Sequence, residues 1–382
     1  MSHFLILGGG TAGCYLASRI LDENLLYTVT IIEQGSANFD DPNIRSASKI
    51  GKIMDNPEYI RTIQSEEGSV SMGSVLGGGS SVNGAYLVLP SNKYLNSLPK
   101  TGKTNWIDIK DKLLTLLPTE ENKTGKFMET LNGNLENTDL TNDVFYRLLT
   151  ERISSVSFLN RYKNTSRLNI ISQKTVESIK RINNLLTVRI NNGDIISSNY
   201  VIICCGASTP EILMKGNPNF IPSKVFNHMG VRLKLDKDIS NTSGQIFFKG
   251  ETGYTEQLLI YGRNLNIYNL NPDIGWDIKL ASRGEMYYTG KQMSEKLKES
   301  FDNKVDKIRK ALRKMNYSII NEEPSPTYHM TGGCQDIVNN FAVKDESNLF
   351  IADLSILPII PDANTSFMAL MIAEKFVQEY LV

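Results

Sequence analysis

Residues 4–13 read FLILGGGTAG. The apolar run Phe4-Leu5-Ile6-Leu7 passes directly into Gly8-x-Gly10-x-x-Gly13. A helix-forming stretch, Cys14 to Leu21, comes next, and a second apolar run, Val29–Ile32, ends in Glu33. Strand, glycine turn, helix, strand and acid in that order make a dinucleotide-binding unit. The glycines let the backbone approach a pyrophosphate, and the helix N-terminus faces its charge. Glu33 stands 20 residues beyond Gly13, where a carboxylate can bond a ribose diol. The acid favours an unphosphorylated ribose, so NAD or FAD over NADP, and the stretch does not separate those two.

The chain has 382 residues, enough for two interleaved domains with sizeable cores. Its 41 basic and 41 acidic residues balance, so charge gives no reason to expect nucleic acid or an anionic membrane as partner. No room for a signal peptide precedes Phe4 and no apolar run is long enough to span a bilayer, so a soluble, intracellular protein is expected. Cys14, Cys204, Cys205 and Cys334 match no zinc or redox spacing and read as buried, reduced thiols, and no metal site is expected.

Residues 36–70 are polar and broken by Pro42, Gly51 and Pro57, which predicts an irregular surface excursion. Residues 71–90, SMGSVLGGGSSVNGAYLVLP, set a glycine-serine loop between apolar flanks. Its free N–H groups and two hydroxyls suit a pyrophosphate. Residues 106–117 predict a short helix ended by Pro118, residues 119–142 a loop, and 143–153 a further helix. Strands are predicted at 168–172, 176–181, 185–190 and 200–205, the last apolar throughout as a buried parallel strand would be. Half-buried runs between 225 and 290 predict an antiparallel sheet, followed by a charged amphipathic helix at 291–315. A strand at 349–352 and a helix at 366–381 close the chain. A parallel sheet is expected from segments 3–35, 168–205 and 348–382.

Five blocks coincide in order: Gly8–Gly13 with Glu33, Val75–Pro90, Val201–Leu213, His329–Cys334 and Asn348–Leu381. Together they resemble the glucose-methanol-choline (GMC) oxidoreductase family of FAD enzymes. VLGGGSSVNGAYLVLP is similar to that family's first signature loop and YVIICCGASTPEIL to its second. HMTGGC resembles its H-x-x-G-T-C segment, with Gly333 where the family has Thr. NLFIADLSILPIIPDANTSFMALMIAEKFVQEYL resembles its C-terminal block, and Asn227-His228 sits where the family often has an Asp-His pair. The chain is shorter than is usual for the family, with the losses outside these blocks.

The resemblance implies an α/β fold. A Rossmann-like FAD-binding domain with a parallel sheet would use residues 1–90, 161–214 and 321–382. Residues 91–160 would form a lid or connecting segment. Residues 215–320 would form a smaller, antiparallel-sheet substrate domain of α+β type. It also implies FAD as cofactor, non-covalently held because no histidine stands in the flavin loop. The binding set would include Gly8, Gly10, Thr11, Ala12, Gly13, Glu33 and Gln34 from the first unit. Gly77, Gly78, Gly79, Ser80, Asn83, Gly84 and Ala85 would come from the second loop, with Asn83-Gly84 beside the reactive edge of the isoalloxazine. Val176 would lie near adenine, with Cys205 and Gly206 close by. Asp353 would bond the ribityl-pyrophosphate region, with Leu354 next to it. The helix after Asn364 and Thr365 would aim its N–H groups at the flavin N1–C2=O edge and stabilise the anionic reduced form.

Only three histidines occur. His3 reads as a surface residue and His228 as a structural hydrogen-bonder. His329 opens the family's catalytic block and would take the alcohol proton while hydride passes to flavin N5. Asn364, 35 residues later, would orient the substrate oxygen, since an amide is no base at neutral pH. The implied partners are a small-molecule alcohol and oxygen or another electron acceptor. Two alternatives remain: a non-redox flavin enzyme of the same fold, such as a lyase or photodecarboxylase, and a flavin-binding structural or interaction protein that has lost catalysis.

Overall fold

The structure is a computed structural model. It describes residues 2–382 apart from 47–48, 55, 66–67, 118–119, 122–129, 132, 136–145, 148–151, 218, 240–243, 250–254, 262, 270–274, 281–285 and 326. Its centre is a seven-stranded sheet. Five parallel strands run in the spatial order Leu349–Ile351, Tyr200–Ile203, His3–Leu7, Thr28–Ile32 and Leu168–Ile171. Leu5 lies opposite both Val201 and Thr30, which fixes the register at the middle of the sheet. Val338–Asn339 and Ala342–Val343 add an antiparallel edge. The parallel sheet thus draws on the three distant segments expected from the sequence.

Continuous apolar strands are what a sheet covered on both faces requires. Phe4, Ile6, Val29 and Ile202 pack against the helices Thr11–Glu23 and Thr365–Tyr380. Leu5, Leu7, Val201 and Ile203 pack on the other face against Leu186, Val188 and Ile190. Those three residues belong to a small antiparallel sheet of Val176–Ile182, Leu185–Ile190 and Ile195–Ser198. Glu374 ties the helical layer together. Wholly buried, it accepts from Tyr15 Oη at 2.8 Å, Arg19 Nε at 2.9 Å and Lys112 Nζ at 2.6 Å.

Two further large sheets are separate from the seven-stranded one. A five-stranded antiparallel sheet contains Met229–Leu235 and Asn264–Asn269 at its centre. Its apolar face, Leu233, Leu235, Leu265 and Ile267, packs on Phe301, Val305, Ile308 and Leu312 of the helix Glu295–Lys314. This is the antiparallel sheet and long helix expected from the alternation. A six-stranded sheet joins Val225–Phe226, Gly275–Leu280 and Met286–Gln292 to Ile60–Ser65 and Gly68–Gly73.

Some expectations need correction. Residues 36–70 are not an irregular excursion. Asp41 caps a short helix, Pro42–Arg45, by accepting from Asn43 N and Ile44 N. Ile63 and Val70 then bury one face of a hairpin, and Ile60 the other, and its strand Ile60–Ser65 pairs in parallel with Met286–Gln292. So strands 60–65 and 68–73, assigned from sequence to the first domain, lie in the six-stranded sheet with Gly275–Leu280 and Met286–Gln292. Within the expected helix at 143–153, Tyr146–Arg147 is instead a strand against Tyr86–Leu87, while 143–145 and 148–151 lie outside the described residues. Most of the loop expected at 119–142 lies outside them too. His3 is no surface residue. It opens the first strand, half-buried, with Nε2 2.9 Å from Thr30 Oγ1. Among the described residues no helix is long and apolar enough to cross a membrane, and no His, Cys, Asp or Glu cluster could hold a metal.

Candidate active site

Two glycine loops meet at one cavity of about 1580 Å³. That exceeds the roughly 300–1,000 Å³ of an ordinary small-ligand pocket, so there is room for a dinucleotide and a second molecule. The first loop leaves the strand His3–Leu7. Gly13 has to lack a side chain there, because a Cβ would lie 2.0 Å from the Gly8 carbonyl oxygen. The second loop crosses over the first. Gly78 takes φ +50°, and a Cβ on it would stand 2.8 Å from Gly10 Cα. Gly77 N donates to Gly9 O at 2.6 Å, and Ser80 N donates to Thr11 Oγ1 at 3.1 Å. The two loops therefore interlock as one rigid wall.

Two helices begin on that wall. Thr11–Glu23 starts after Gly10 and Thr365–Tyr380 after Asn364. Neither has a side-chain cap bond or an acid in its first turn. Thr11, Ala12, Thr365 and Ser366 line the cavity. The positive ends of both helices thus converge where an anionic group can lie.

The buried acids shape the loops as well as facing the cavity. Glu33 accepts from Gly9 N through Oε2 and from Gly35 N through Oε1, each at 2.8 Å. Burial raises its carboxyl, against the pull of those N–H groups. Each oxygen retains a second lone pair that a ribose hydroxyl could use. Asp353 holds the turn after the strand Tyr200–Ile203, accepting from Gly206 N at 2.8 Å and Thr209 Oγ1 at 2.7 Å. Burial raises its carboxyl too.

All but four of the cofactor residues expected from sequence line this cavity. Gly13, Gly77, Ser80 and Ala85 stand behind it. Gly13 backs onto Gly8, and Gly77 onto Ser81 and Ser154. The Ser80 hydroxyl is spent on Gly77 O at 2.7 Å and Ser155 Oγ at 2.9 Å. Ala85 is buried with its N–H held by Asn83 Oδ1 at 2.9 Å. Gly333 takes φ +103°, and a Cβ would meet Pro210 Cγ at 2.6 Å, which accounts for glycine at this position.

Sequence reasoning missed two groups of lining residues. Arg61 bonds Ser208 Oγ at 3.1 Å and Glu211 Oε2 at 2.5 Å, and came from the segment read as irregular. The other group is a polar roof of Arg232, Asn264, Asn266 and Tyr268. Its signal was legible in NLNIYN, residues 264–269, whose apolar positions 265 and 267 face the long helix. Arg232 Nε donates to Asn266 Oδ1 at 3.0 Å, across a register pair.

The two catalytic candidates come together at the cavity wall. Asn364 Nδ2 is 3.2 Å from His329 Nε2. His329 Nδ1 is 2.9 Å from His228 Nδ1, and the rings meet edge-on at 84°. His228 is fully buried, with Nε2 2.9 Å from Pro361 O. Asn227 Oδ1 accepts the backbone N–H of His228 at 2.9 Å and of His329 at 3.2 Å, clamping both rings from one amide. Burial lowers His329 to about 4. Burial first, and the adjacent ring second, hold His228 well below the usual imidazole range. Asn364 Oδ1 is buried with no partner, an acceptor left for a ligand.

Residues 270–373 match the family model described as GMC oxidoreductase. Over this stretch the chain is similar to the GMC oxidoreductases. It is 34% identical over 118 residues to the GMC oxidoreductase family protein Mala s 12 of Malassezia sympodialis, a match covering 27% of this chain and 19% of that protein. An uncharacterised GMC-type oxidoreductase of Rhodococcus erythropolis is 34% identical over 101 residues, 23% of this chain and 19% of the relative. The chain thus spans about a fifth of the length of these curated relatives in matched sequence. In fold it is similar to pyridoxine 4-oxidase from Mesorbium loti, with TM-score 0.83 and 15% identity over 100% of this chain and 99% of that one. A formate oxidase from Aspergillus oryzae, studied for modification of its FAD, gives 0.74 at 16% identity over 99% and 98%. At such identities the likeness speaks to the fold.

The walls of the cavity fit FAD. Interlocked glycines leave space against the backbone, two uncapped helix N-termini await negative charge, and a buried acid stands where a ribose would lie.

Proposed function

We propose that this chain is an FAD-dependent oxidoreductase that acts on the CH–OH group of a small, polar alcohol, with His329 as general base. The observation that carries this reading is the 3.2 Å approach of Asn364 Nδ2 to His329 Nε2 on the wall of the glycine-loop cavity. Gly8, Gly10, Glu33, Gly78, Asp353 and Thr365 are the residues that would chiefly hold the cofactor. Bound FAD would supply the two-electron acceptor for the hydride, to be reoxidised by oxygen or another acceptor.

With burial holding it near 4, His329 is neutral at pH 7 and its Nε2 lone pair is available. An alcohol oxygen between His329 and Asn364 would donate its proton to Nε2 and accept from Asn364 Nδ2. Asn364 orients and cannot take the proton. The polar roof of Arg232, Asn264, Asn266 and Tyr268 suits a substrate with several polar groups over a long alkyl chain. A retained His329–Asn364 pair favours chemistry over a purely structural flavin role.

The test is direct. The purified protein should release one FAD per chain on denaturation, leaving no flavin on the polypeptide after acid precipitation. A panel of polar alcohols should bleach the flavin under anaerobic conditions. Bound NAD without flavin would refute the cofactor, and product formation without bleaching would refute the redox reading.

A further inference from the structure

His228 was expected to be a structural hydrogen-bonder, and it is one, but its partners form a directional chain. A peptide carbonyl only accepts hydrogen bonds. His228 Nε2, 2.9 Å from Pro361 O, therefore carries a proton. A neutral imidazole has one N–H, so His228 Nδ1 is bare and must accept. The atom it faces at 2.9 Å is His329 Nδ1, which therefore carries the proton and leaves His329 Nε2 bare. Asn364 then turns its NH₂ to that lone pair, and its Oδ1 is the atom left over, which agrees with Oδ1 lacking a partner. Each assignment follows from the one before, and all start at the carbonyl of Pro361.

We propose that His228 is a positioning residue that sets the tautomer of His329, so that the lone pair facing the cavity is on Nε2. The proposal rests on His329 being the base. When the alcohol O–H bond breaks, its proton goes to His329 Nε2 and the ring becomes imidazolium. His228 Nδ1 then accepts a charge-assisted bond from His329 Nδ1–H, which is stronger than the bond it accepted before. The preference for the charged form therefore arises as the proton moves, and His228 adds to it without touching substrate. A neutral ring does here what a carboxylate does in other histidine pairs. Besides each other, the rings bond the neutral groups Pro361 O and Asn364 Nδ2, and the backbone of the two residues bonds neutral Asn227 and Thr327. Asn227 fixes the geometry by holding both backbone N–H groups.

The experiment labels the holoprotein with ¹⁵N-histidine and assigns the tautomer of each ring by NMR, which three histidines make tractable. In the wild type, His329 should show a protonated Nδ1 and a bare Nε2. In His228→Leu the His329 ring should populate the Nε2–H form, and flavin reduction should slow by roughly 10–100-fold with substrate affinity little changed. His228→Gln keeps an acceptor oxygen and should restore both the tautomer and most of the rate. A wild-type His329 protonated on Nε2 would overturn the proposal, whether or not either variant folds. So would a folded His228→Leu protein with wild-type tautomer and rate. A tautomer that shifts as expected while His329→Ala leaves reduction unchanged would keep the chain from Pro361 and refute the base.

Discussion

Asn364 and His329, 35 residues apart in sequence, meet at 3.2 Å between Nδ2 and Nε2, and Asn364 Oδ1 is left buried without a partner. The amide therefore has one donor at the lone pair that would receive a proton and one acceptor free for a ligand. Asn364→Ala should slow flavin reduction by roughly tenfold or less, as the loss of a neutral hydrogen bond of about 0.5–1.5 kcal/mol implies. Anaerobic stopped-flow bleaching measures it. A loss as large as that of His329→Ala would assign the amide more than orientation.

Burial lowers His329 from 6.5 to about 4 and holds His228 well below the usual range. A rate that needs neutral His329 should be flat through neutral pH and fall only as pH approaches about 4. The same shifts bear on stability. As pH falls through 6.5 the unfolded chain binds protons that the folded rings refuse, so stability declines from there down to about 4. Melting temperature against pH should show that decline, and His228→Leu should flatten it. A rate midpoint near 6.5 would mean that His329 titrates as if solvated.

Glu33 holds Gly9 and Gly35 with one oxygen each, besides facing the cavity. Glu33→Ala should therefore do two things. Flavin should leave more readily, since a hydrogen bond to a charged group is worth about 1.5–3 kcal/mol. The flavin-free protein should also melt lower, because two buried N–H groups lose their acceptor. The ratio of FAD to protein after gel filtration and the Tm of both forms separate these effects. An unchanged Tm would mean that the acid serves the ligand alone.

Gly13→Ala should damage the first loop by steric conflict, because its Cβ would fall 2.0 Å from the Gly8 carbonyl oxygen. Overpacking of this kind costs about 1–3 kcal/mol or more. The variant should melt lower and bind little flavin. A fully flavinated variant with wild-type Tm would contradict the loop packing.

Much of this was legible in the sequence, for identifiable reasons. Phe4–Leu7 and Val201–Ile203 are apolar at every position, a pattern that a doubly covered parallel strand needs. The glycines of both loops announce backbone contact, and their mutual crossing explains why they come in two sets. The hairpin at 60–73 was not legible, because its partner strand lies more than 200 residues away and its buried apolar residues are split between two faces, Ile63 and Val70 on one and Ile60 on the other. The site's reach beyond His329 was hidden for a similar reason. No spacing in the chain says that His228 lies against His329, since the Val225–Phe226 strand must first pair with Thr331–Gly332. Asn264 and Asn266 could have been found, because they alternate with Leu265 and Ile267 on one strand.

The central claim is that His329 accepts the alcohol proton. An alcohol holds that proton too tightly at neutral pH for hydride to leave unaided, and a positioned base is worth roughly 10²–10⁴ in rate. The deciding measurement compares anaerobic flavin bleaching by an accepted alcohol in the wild type and in His329→Ala, at equal FAD content. The expected result is a fully flavinated variant that reduces roughly 10²–10⁴-fold more slowly, while His3→Ala stays within about tenfold of wild type. A flavinated His329→Ala protein that bleaches at the wild-type rate would contradict the claim.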